Sequence, residues 1–341
     1  MADLPKTMRI WQYASVKGGL ENNLKLNTQA LPAPEAGHHL VRITNTSLNP
    51  VDYKPAKIPI AGRFLVPKQA TPAIDISARI VAPAQGSKLK AGQLVWGVAA
   101  EKPFAPGGLG EYANVPEAGV LPIPEGVDPI HAAALPVAGL SAYQSIVPHV
   151  KSGDHVFLNG GSGGVGIFVI QMAKAVGCHV TTTCSERNVE LCKFLGADEV
   201  VDYTKGDLIE TLVNSDVKFD HVVDNVGGDD SRLYWECHRF TKPGAKFVLV
   251  GATPGLAHTA FKAKTSLWRG PGAAEGGKRP LLGFFAHPVP DDMQQMVDWV
   301  KEGKVKVIID STFPFEEAVE AYKKLRTGSA RGKIIVLGSK D

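Results

Sequence analysis

Cysteine is scarce in this chain, and the arrangements that give it a structural or metal-binding job are missing. Four cysteines, Cys178, Cys184, Cys192 and Cys237, stand among 341 residues with no CxxC pair and no zinc-ribbon spacing. This excludes a disulfide framework and predicts a reduced, cytoplasmic setting. No apolar run reaches the roughly 18 residues of a membrane-spanning helix. The opening stretch "MADLPKTMRIWQY" has no signal-peptide apolar core and leaves little room for a transit peptide. Charge of one sign is also lacking: 37 basic residues face 34 acidic ones, a net +3, without a basic block. A nucleic-acid or membrane surface is therefore not expected, while small anionic ligands remain open. Internal repeats and low-complexity tracts are absent.

What the chain does have is length, 341 residues, enough for about two domains, and apolar residue, 44%, enough to bury a core. Up to about residue 124 the pattern is short and β-rich: "MRIWQY", "LKLNTQAL", "HLVRITNTSLN", "AIDISARIVAP", "QLVWGVAA" and "GEYANV", broken by Pro and Gly turns. The period then changes. Between about residues 129 and 251 the strand runs "HVFLNG", "CHVTTTC", "EVVDY", "HVVDNV" and "KFVLVG" alternate with helical stretches, which predicts a doubly wound parallel sheet. Residues 252–279, rich in Gly and small side chains, read as a functional loop or a mobile segment. A strand "PLLGFFA", a helix near "DDMQQMVDWVKEG", a strand "VKVIID", a further helix and a last strand "GKIIVLG" complete the reading.

The strand "HVFLN" runs straight into glycines, so that Gly161, Gly163 and Gly166 spell GxGxxG at a strand-to-helix turn. The first glycine allows the tight turn, the second lets a pyrophosphate approach the backbone, and the third lets helix and strand pack closely. Gly161, Ser162, Gly163, Gly164, Val165 and Gly166 are the expected cradle, with free N–H groups at the helix end. The same letters also spell GxSxG around Ser162, the nucleophile elbow of serine hydrolases. The continuing βαβ units favour the dinucleotide. At the end of the next strand, "TTTCSERN", no acid stands ready to accept from a ribose 2′-hydroxyl. Ser185 and Arg187 offer a hydroxyl and a guanidinium, which suit a 2′-phosphate and predict NADPH; Glu186 between them opposes this if it turns inward.

These motifs resemble the zinc-independent medium-chain dehydrogenase/reductase superfamily, particularly quinone-oxidoreductase-like and enoyl reductases. The resemblance runs over nearly the whole chain through "SLNPVDYK" (47–54), "GGLGEYANV" (107–115), "AAALPVAGLSAYQSI" (132–146), "NGGSGGVGIFVIQMAKAVG" (159–177), "CSERNVELCKFLGADEVVDY" (184–203), "VVDNVGG" (222–228) and "GKIIVL" (332–337). It implies an α/β protein with a GroES-like β-rich catalytic domain, 1–126 completed by about 302–341, and a Rossmann NADP-binding domain, 127–301. It also implies that Val137, Leu140 and Ser141 line the nicotinamide side. Tyr203 would flank the adenosine phosphate with Ser185 and Arg187, and Asn225, Val226 and Gly251 would meet the nicotinamide ribose. Zinc-dependent relatives carry a Cys near the position of Asn49 and a Gly-His-Glu some tens of residues later. Here that region reads "TPAIDISARIV", the four-cysteine lobe is absent, and a tetrahedral site has no ligand set. Ala73 and Ala78 stand where the usual reductase pattern has glycines, so the turn before Asp75 is expected to take a different shape.

Without a Lewis acid, conjugate reduction is the accessible chemistry: hydride to the β-carbon of an unsaturated carbonyl, or to a quinone, with a donor for the developing oxyanion. Asn49, Tyr53 and Lys54 are the expected catalytic residues, although Pro50 and Asp52 equally suit a simple turn. Phe284 and Phe285 suit a wall for an apolar substrate, and equally sheet core or a dimer edge. The predicted partner is a small unsaturated carbonyl or quinone, with a homodimer as one assembly. The alternatives are a trans-acting enoyl reductase working on a carrier-bound polyketide chain and an NADPH-binding sensor without turnover.

Overall fold

The strand-forming runs fold as the alternation of their apolar residues dictates. The computed structural model describes residues 4–54, 56, 67, 69–100, 107–227, 232–251, 278–282 and 286–340. The chain divides into two compact units, Met1–Leu140 with His287–Gly303 and Val307–Asp341, and Ser141–Ala286 with Lys304–Lys306.

The first unit begins with β1 (Thr7–Gln12), β2 (Lys25–Ala30), β3 (His38–Ser47), β4 (Asp75–Ala82), β5 (Leu94–Val98), β6 (Tyr112–Pro116) and β7 (Val120–Pro122), followed by α1 (Pro129–Ala133) and α2 (Pro136–Ile146), in which the division falls. The second unit contains β8 (His155–Asn159), α3 (Gly166–Val176), β9 (His179–Cys184), α4 (Val189–Phe194), β10 (Glu199–Asp202), α5 (Leu208–Val213), β11 (Phe219–Asp224), α6 (Arg232–Glu236), β12 (Thr241–Leu249) and β13 (Leu281–Leu282). The chain then returns to the first unit with α7 (Pro290–Lys301), β14 (Ile309–Phe313), α8 (Ala318–Arg326) and β15 (Lys333–Leu337).

In the first unit β1 and β2 form an antiparallel pair, and the main sheet runs β14-β15-β3-β4-β5-β7 with β6 on β3. Val41, Ile43, Ile76, Ala78, Ile80, Val95, Ala113 and Val115 fill one side of it. A second core gathers Trp11, Tyr13, Leu48, Tyr53, Phe315, Tyr322 and Ile334. Ala73 adopts φ 69, the left-handed region that favours glycine, and it alone does so among the described non-glycine residues. The turn before Asp75 thus holds an alanine in a glycine-like conformation, at a strain of about 1 kcal/mol.

Among the described residues the second unit forms a six-stranded, wholly parallel sheet of order β10-β9-β8-β11-β12-β13. This is the doubly wound dinucleotide-binding order, reversing direction between β8 and β11. Phe157, Phe219 and Phe240 meet at centroid separations of 5.5 to 6.3 Å within its core.

The units differ from the expected domain limits, with the first extending to Leu140 and recovering His287–Gly303. The reason is local packing. Ala132, Ala133, Ala134 and Leu135 are fully buried, and α1 lies against β3, β4 and β5. The helix α7 lies against β7. The strand expected at "VKVIID" begins later, at Ile309.

Candidate active site and cofactor cradle

In open α/β sheets ligands bind beyond the carboxyl ends of strands where the order reverses, which here means the ends of β8 and β11. The chain leaves β8 at Asn159 and turns at Gly160, whose φ is +88°. A Cβ on Gly161 would stand 2.3 Å from Thr182 Oγ1, and one on Gly166 2.1 Å from the Gly160 carbonyl oxygen. Both positions therefore need glycine for close packing. Gly163 differs: its nearest neighbour would be 3.7 Å away, ordinary contact. A side chain there would fit the fold, so packing does not require this glycine as it requires the other two.

Thr183 ties the turn to the next strand by accepting from Gly160 N–H at 2.8 Å and donating to Asn159 Oδ1 at 2.7 Å. Asn159 Nδ2 in turn donates to Asp224 Oδ1 at 2.9 Å, which also accepts from the N–H groups of Val226 and Gly227 at 3.0 and 3.1 Å. Burial pushes the Asp224 carboxyl above its usual value, and these hydrogen bonds oppose that rise. Beside it, neither amide atom of the Asn225 side chain has a hydrogen-bond partner although both are buried. Such an orphaned donor and acceptor at the reversal point fits a ribose hydroxyl pair. Ser162 Oγ accepts from Asn188 Nδ2 at 3.0 Å; an amide is no general base, so this geometry does not build a nucleophile elbow.

At the end of β9, Ser185 precedes a short helical turn, Glu186–Asn188. Glu186 lies outside, bonded to Lys205 Nζ at 2.9 Å. Arg187 is exposed, and Tyr203, following β10 and bonded through its N–H to the Cys184 carbonyl, is 54% exposed. Val226 is likewise an exposed large apolar side chain. Gly251 approaches the backbone of Asn225 so closely that a Cβ would be 2.0 Å from its carbonyl oxygen. In the second unit the structure thus brings together Gly161–Gly166, Asn225, Val226 and Gly251 at the sheet reversal, and Ser185, Arg187 and Tyr203 at the ends of β9 and β10. Ser141 is buried within α2.

The segment expected to be catalytic lies in the first unit. Pro50–Asp52 form a single helical turn capped by Asn49, whose N–H donates to Asp52 Oδ2 at 2.9 Å. The Asn49 side chain is 4% exposed; its Nδ2 donates to Asp75 Oδ2 at 2.8 Å and lies 3.4 Å from the Ser47 carbonyl. Lys333 Nζ donates to Asn49 Oδ1. The amide expected to face a substrate is therefore occupied inside the protein, because a buried carboxylate and ammonium bracket it. Tyr53 is buried in the apolar cluster beside Tyr13, and Lys54 is half-buried with its N–H bonded to the Pro50 carbonyl.

Asp52 accepts from Tyr322 Oη at 3.0 Å, while its Oδ1 has no partner. Burial, together with nearby Asp75, raises its carboxyl to about 7 against the hydrogen bonds of Asn49 and Tyr322 and the charge of Lys333. Burial likewise pushes Asp75 up and Lys333 down, each countered by the other's charge. Among the described residues no group of three or more His, Cys, Asp or Glu side chains could hold a metal, and no helix is long and apolar enough to cross a membrane. Phe284, Phe285 and the stretch 252–277 lie outside the described residues. Sequence reasoning missed Thr183, Asn188, Asp224, Tyr322 and Lys333. The threonine run inside a buried strand was the one available signal for the first.

A family model described as the alcohol dehydrogenase GroES-like domain matches residues 35–125, and one described as zinc-binding dehydrogenase matches 195–336. A trans-enoyl reductase of Aspergillus terreus is 45% identical, over 98% of this chain and 97% of its own length. A chloroplast envelope quinone oxidoreductase homologue of Arabidopsis thaliana is 33% identical over 97% and 98%. The solved quinone oxidoreductase of Coxiella burnetii superposes with TM-score 0.83 at 28% identity, covering 97% of this chain and 99% of that one. The matched family models and relatives make this a nicotinamide-dependent oxidoreductase. The chain belongs to the medium-chain dehydrogenase/reductase family, among its quinone-oxidoreductase-like and enoyl-reductase members.

Two expectations follow. Gly163→Ala is expected to keep the wild-type unfolding midpoint while weakening nicotinamide-nucleotide binding by about tenfold or more, whereas Gly161→Ala lowers the midpoint as well; denaturant unfolding and fluorescence titration separate the two. Between the ordinary carboxyl value and about 7 the unfolded chain has lost the Asp52 proton and the folded chain keeps it. Raising the pH across that window therefore lowers stability, and the loss levels off above it. Asp52→Asn is expected to flatten this part of the stability profile, measured by urea unfolding across the same window.

Proposed function

We propose that this protein is a zinc-independent, NADPH-dependent enoyl reductase that saturates the carbon–carbon double bond of an α,β-unsaturated thioester, including one carried on an acyl carrier. The observation that carries this reading is the 45% identity, over 98% of the chain, to a trans-enoyl reductase, against 33% to quinone oxidoreductase homologues. Quinones and small enones form the second reading, supported by those latter relatives.

When bound, the reduced nicotinamide supplies a hydride equivalent to the β-carbon of the substrate, and the α-carbon then takes a proton. The chain's own residues bind, orient and protonate. Gly161–Gly166 cradle the pyrophosphate against the N-terminus of α3, and Asn225, Val226 and Gly251 hold the nicotinamide ribose. Ser141 lines the nicotinamide side. Ser185 and Arg187 bind the 2′-phosphate with Tyr203 against the adenosine. Support for the phosphate comes from Glu186, which bonds Lys205 and so leaves Ser185 and Arg187 without an acid between them. Lys54 stabilises the oxyanion and delivers the proton, with Asn49 and the buried Tyr53 ordering the segment. The zinc-free reading is supported by the residues around Asn49, an amide, a carboxylate and an ammonium in place of thiolate and imidazole.

The test is NADPH consumption with a crotonyl thioester, a small enone and a quinone. The expected result is fastest turnover of the thioester. Preference for the quinone overturns the enoyl reading, and NADPH binding without oxidation of any of the three favours the sensor. Arg187→Ala is expected to raise the KM for NADPH about tenfold to a hundredfold while leaving that for NADH nearly unchanged; equal losses would remove the 2′-phosphate assignment.

A further inference from the structure

Lysine is almost never fully buried without a partner, yet Lys333, which opens β15, is 3% exposed and lies beneath the segment that carries Tyr53 and Lys54. Its ammonium donates to Asn49 Oδ1 at 2.5 Å and to the Leu48 carbonyl at 3.3 Å, and stands 3.6 Å from Asp75 Oδ2. Asp75, fully buried at the start of β4, accepts from Asn49 Nδ2 at 2.8 Å and, through its other oxygen, from Val137 N–H at 2.9 Å. Two opposite charges thus join the end of β3, the start of β4, the first turn of α2 and the start of β15.

The pair is directional in a way that apolar packing is not. An asparagine amide can sit either way round, but only one orientation gives its oxygen to the ammonium and its nitrogen to the carboxylate. A core that needed stability alone would be served as well by apolar side chains of the same volume. What the ion pair adds is one fixed setting of Asn49 and, through Asp75, one fixed start for α2, the helix that carries Val137 and Leu140.

We propose that Lys333, held by Asp75, is a positioning residue for turnover: it sets the Asn49 side chain and the Leu48 backbone, and so the aim of the segment 49–54. The proposal rests on the role assigned above to that segment. It deepens that role by naming a residue 284 positions away from Asn49 in sequence.

The experiment compares Lys333→Met, the paired variant Lys333→Met with Asp75→Asn, Lys333→Arg, and Lys54→Ala. For each, the unfolding midpoint, the NADPH dissociation constant, and kcat and KM with the crotonyl thioester are measured. Lys333→Met leaves Asp75 buried and unpaired, so its midpoint is expected to fall. The paired variant is expected to recover the midpoint yet to keep a kcat about 100-fold below wild type, with NADPH affinity within about twofold. Recovery of kcat together with the midpoint would overturn the proposal, because the network would then be structural only. Lys333→Arg, which keeps the charge but alters its geometry, is expected to fold and lose turnover about tenfold; a folded Arg variant with unchanged kcat contradicts the proposal even where the Met variants fail to fold. If Lys54→Ala leaves kcat unchanged, the reading of the segment fails and takes the proposal with it. If Lys54→Ala lowers kcat and the Lys333 variants do not, the positioning role alone fails.

Discussion

Three charged side chains, Asp52, Asp75 and Lys333, are closed off from water in the first unit, and the polypeptide around them is arranged to meet their demands. Removing such groups from water costs several kcal/mol each, which only good geometry and full hydrogen bonding offset. Asp75 obtains both: its two oxygens take a side-chain amide and a backbone N–H, with the ammonium of Lys333 nearby. Asp52 does not, since one oxygen is left without a partner. Burial, with Asp75 nearby, raises its carboxyl to about 7, so below that pH the buried cluster is close to neutral. The ends of β3, β4 and β15 and the first turn of α2 are held in one relation by these demands.

The second unit solves its problem by leaving side chains out. Gly161 and Gly166 are glycines because Thr182 and the turn's own carbonyls occupy the space a Cβ would need, whereas a Cβ at Gly163 would meet only ordinary contact. The threonine hydroxyl at 183, the Asn159 amide and the Asp224 carboxylate then lock the ends of β9, β8 and β11 together. Hydrogen-bonded strand ends beside a backbone turn suit an anionic dinucleotide, which needs N–H groups without side chains in front of them.

Much of this was legible in the letters. Strand alternation gave the parallel sheet because each run was bounded by glycine or by a helical period, and GxGxxG had meaning because a strand preceded it and a helix followed. The limits of inference were set by long-range packing. "HAAALP" reads as the opening of the second domain, yet Ala132 and Ala133 are buried and their helix lies against β3, β4 and β5 of the first unit. A lysine after glycine at the start of a terminal strand reads as a solvated residue; nothing local announces that Asn49 and Asp75 await it. Likewise Asn49 was legible as a polar residue in a special turn, but the direction of its amide was not, since that depends on partners 26 and 284 residues away. Ala73 shows a milder case, where the turn imposes its geometry on a residue that does not favour it.

The central claim, reduction of a conjugated double bond at its β-carbon, is tested most directly by following the atom transferred. NADPH carrying deuterium at both C4 positions is incubated with a crotonyl thioester and the enzyme, and the product is analysed by mass spectrometry and NMR. The account predicts a saturated thioester with one deuterium at the β-carbon and a solvent proton at the α-carbon. Deuterium at the carbonyl carbon, or cofactor oxidation without any deuterium in the product, would contradict it.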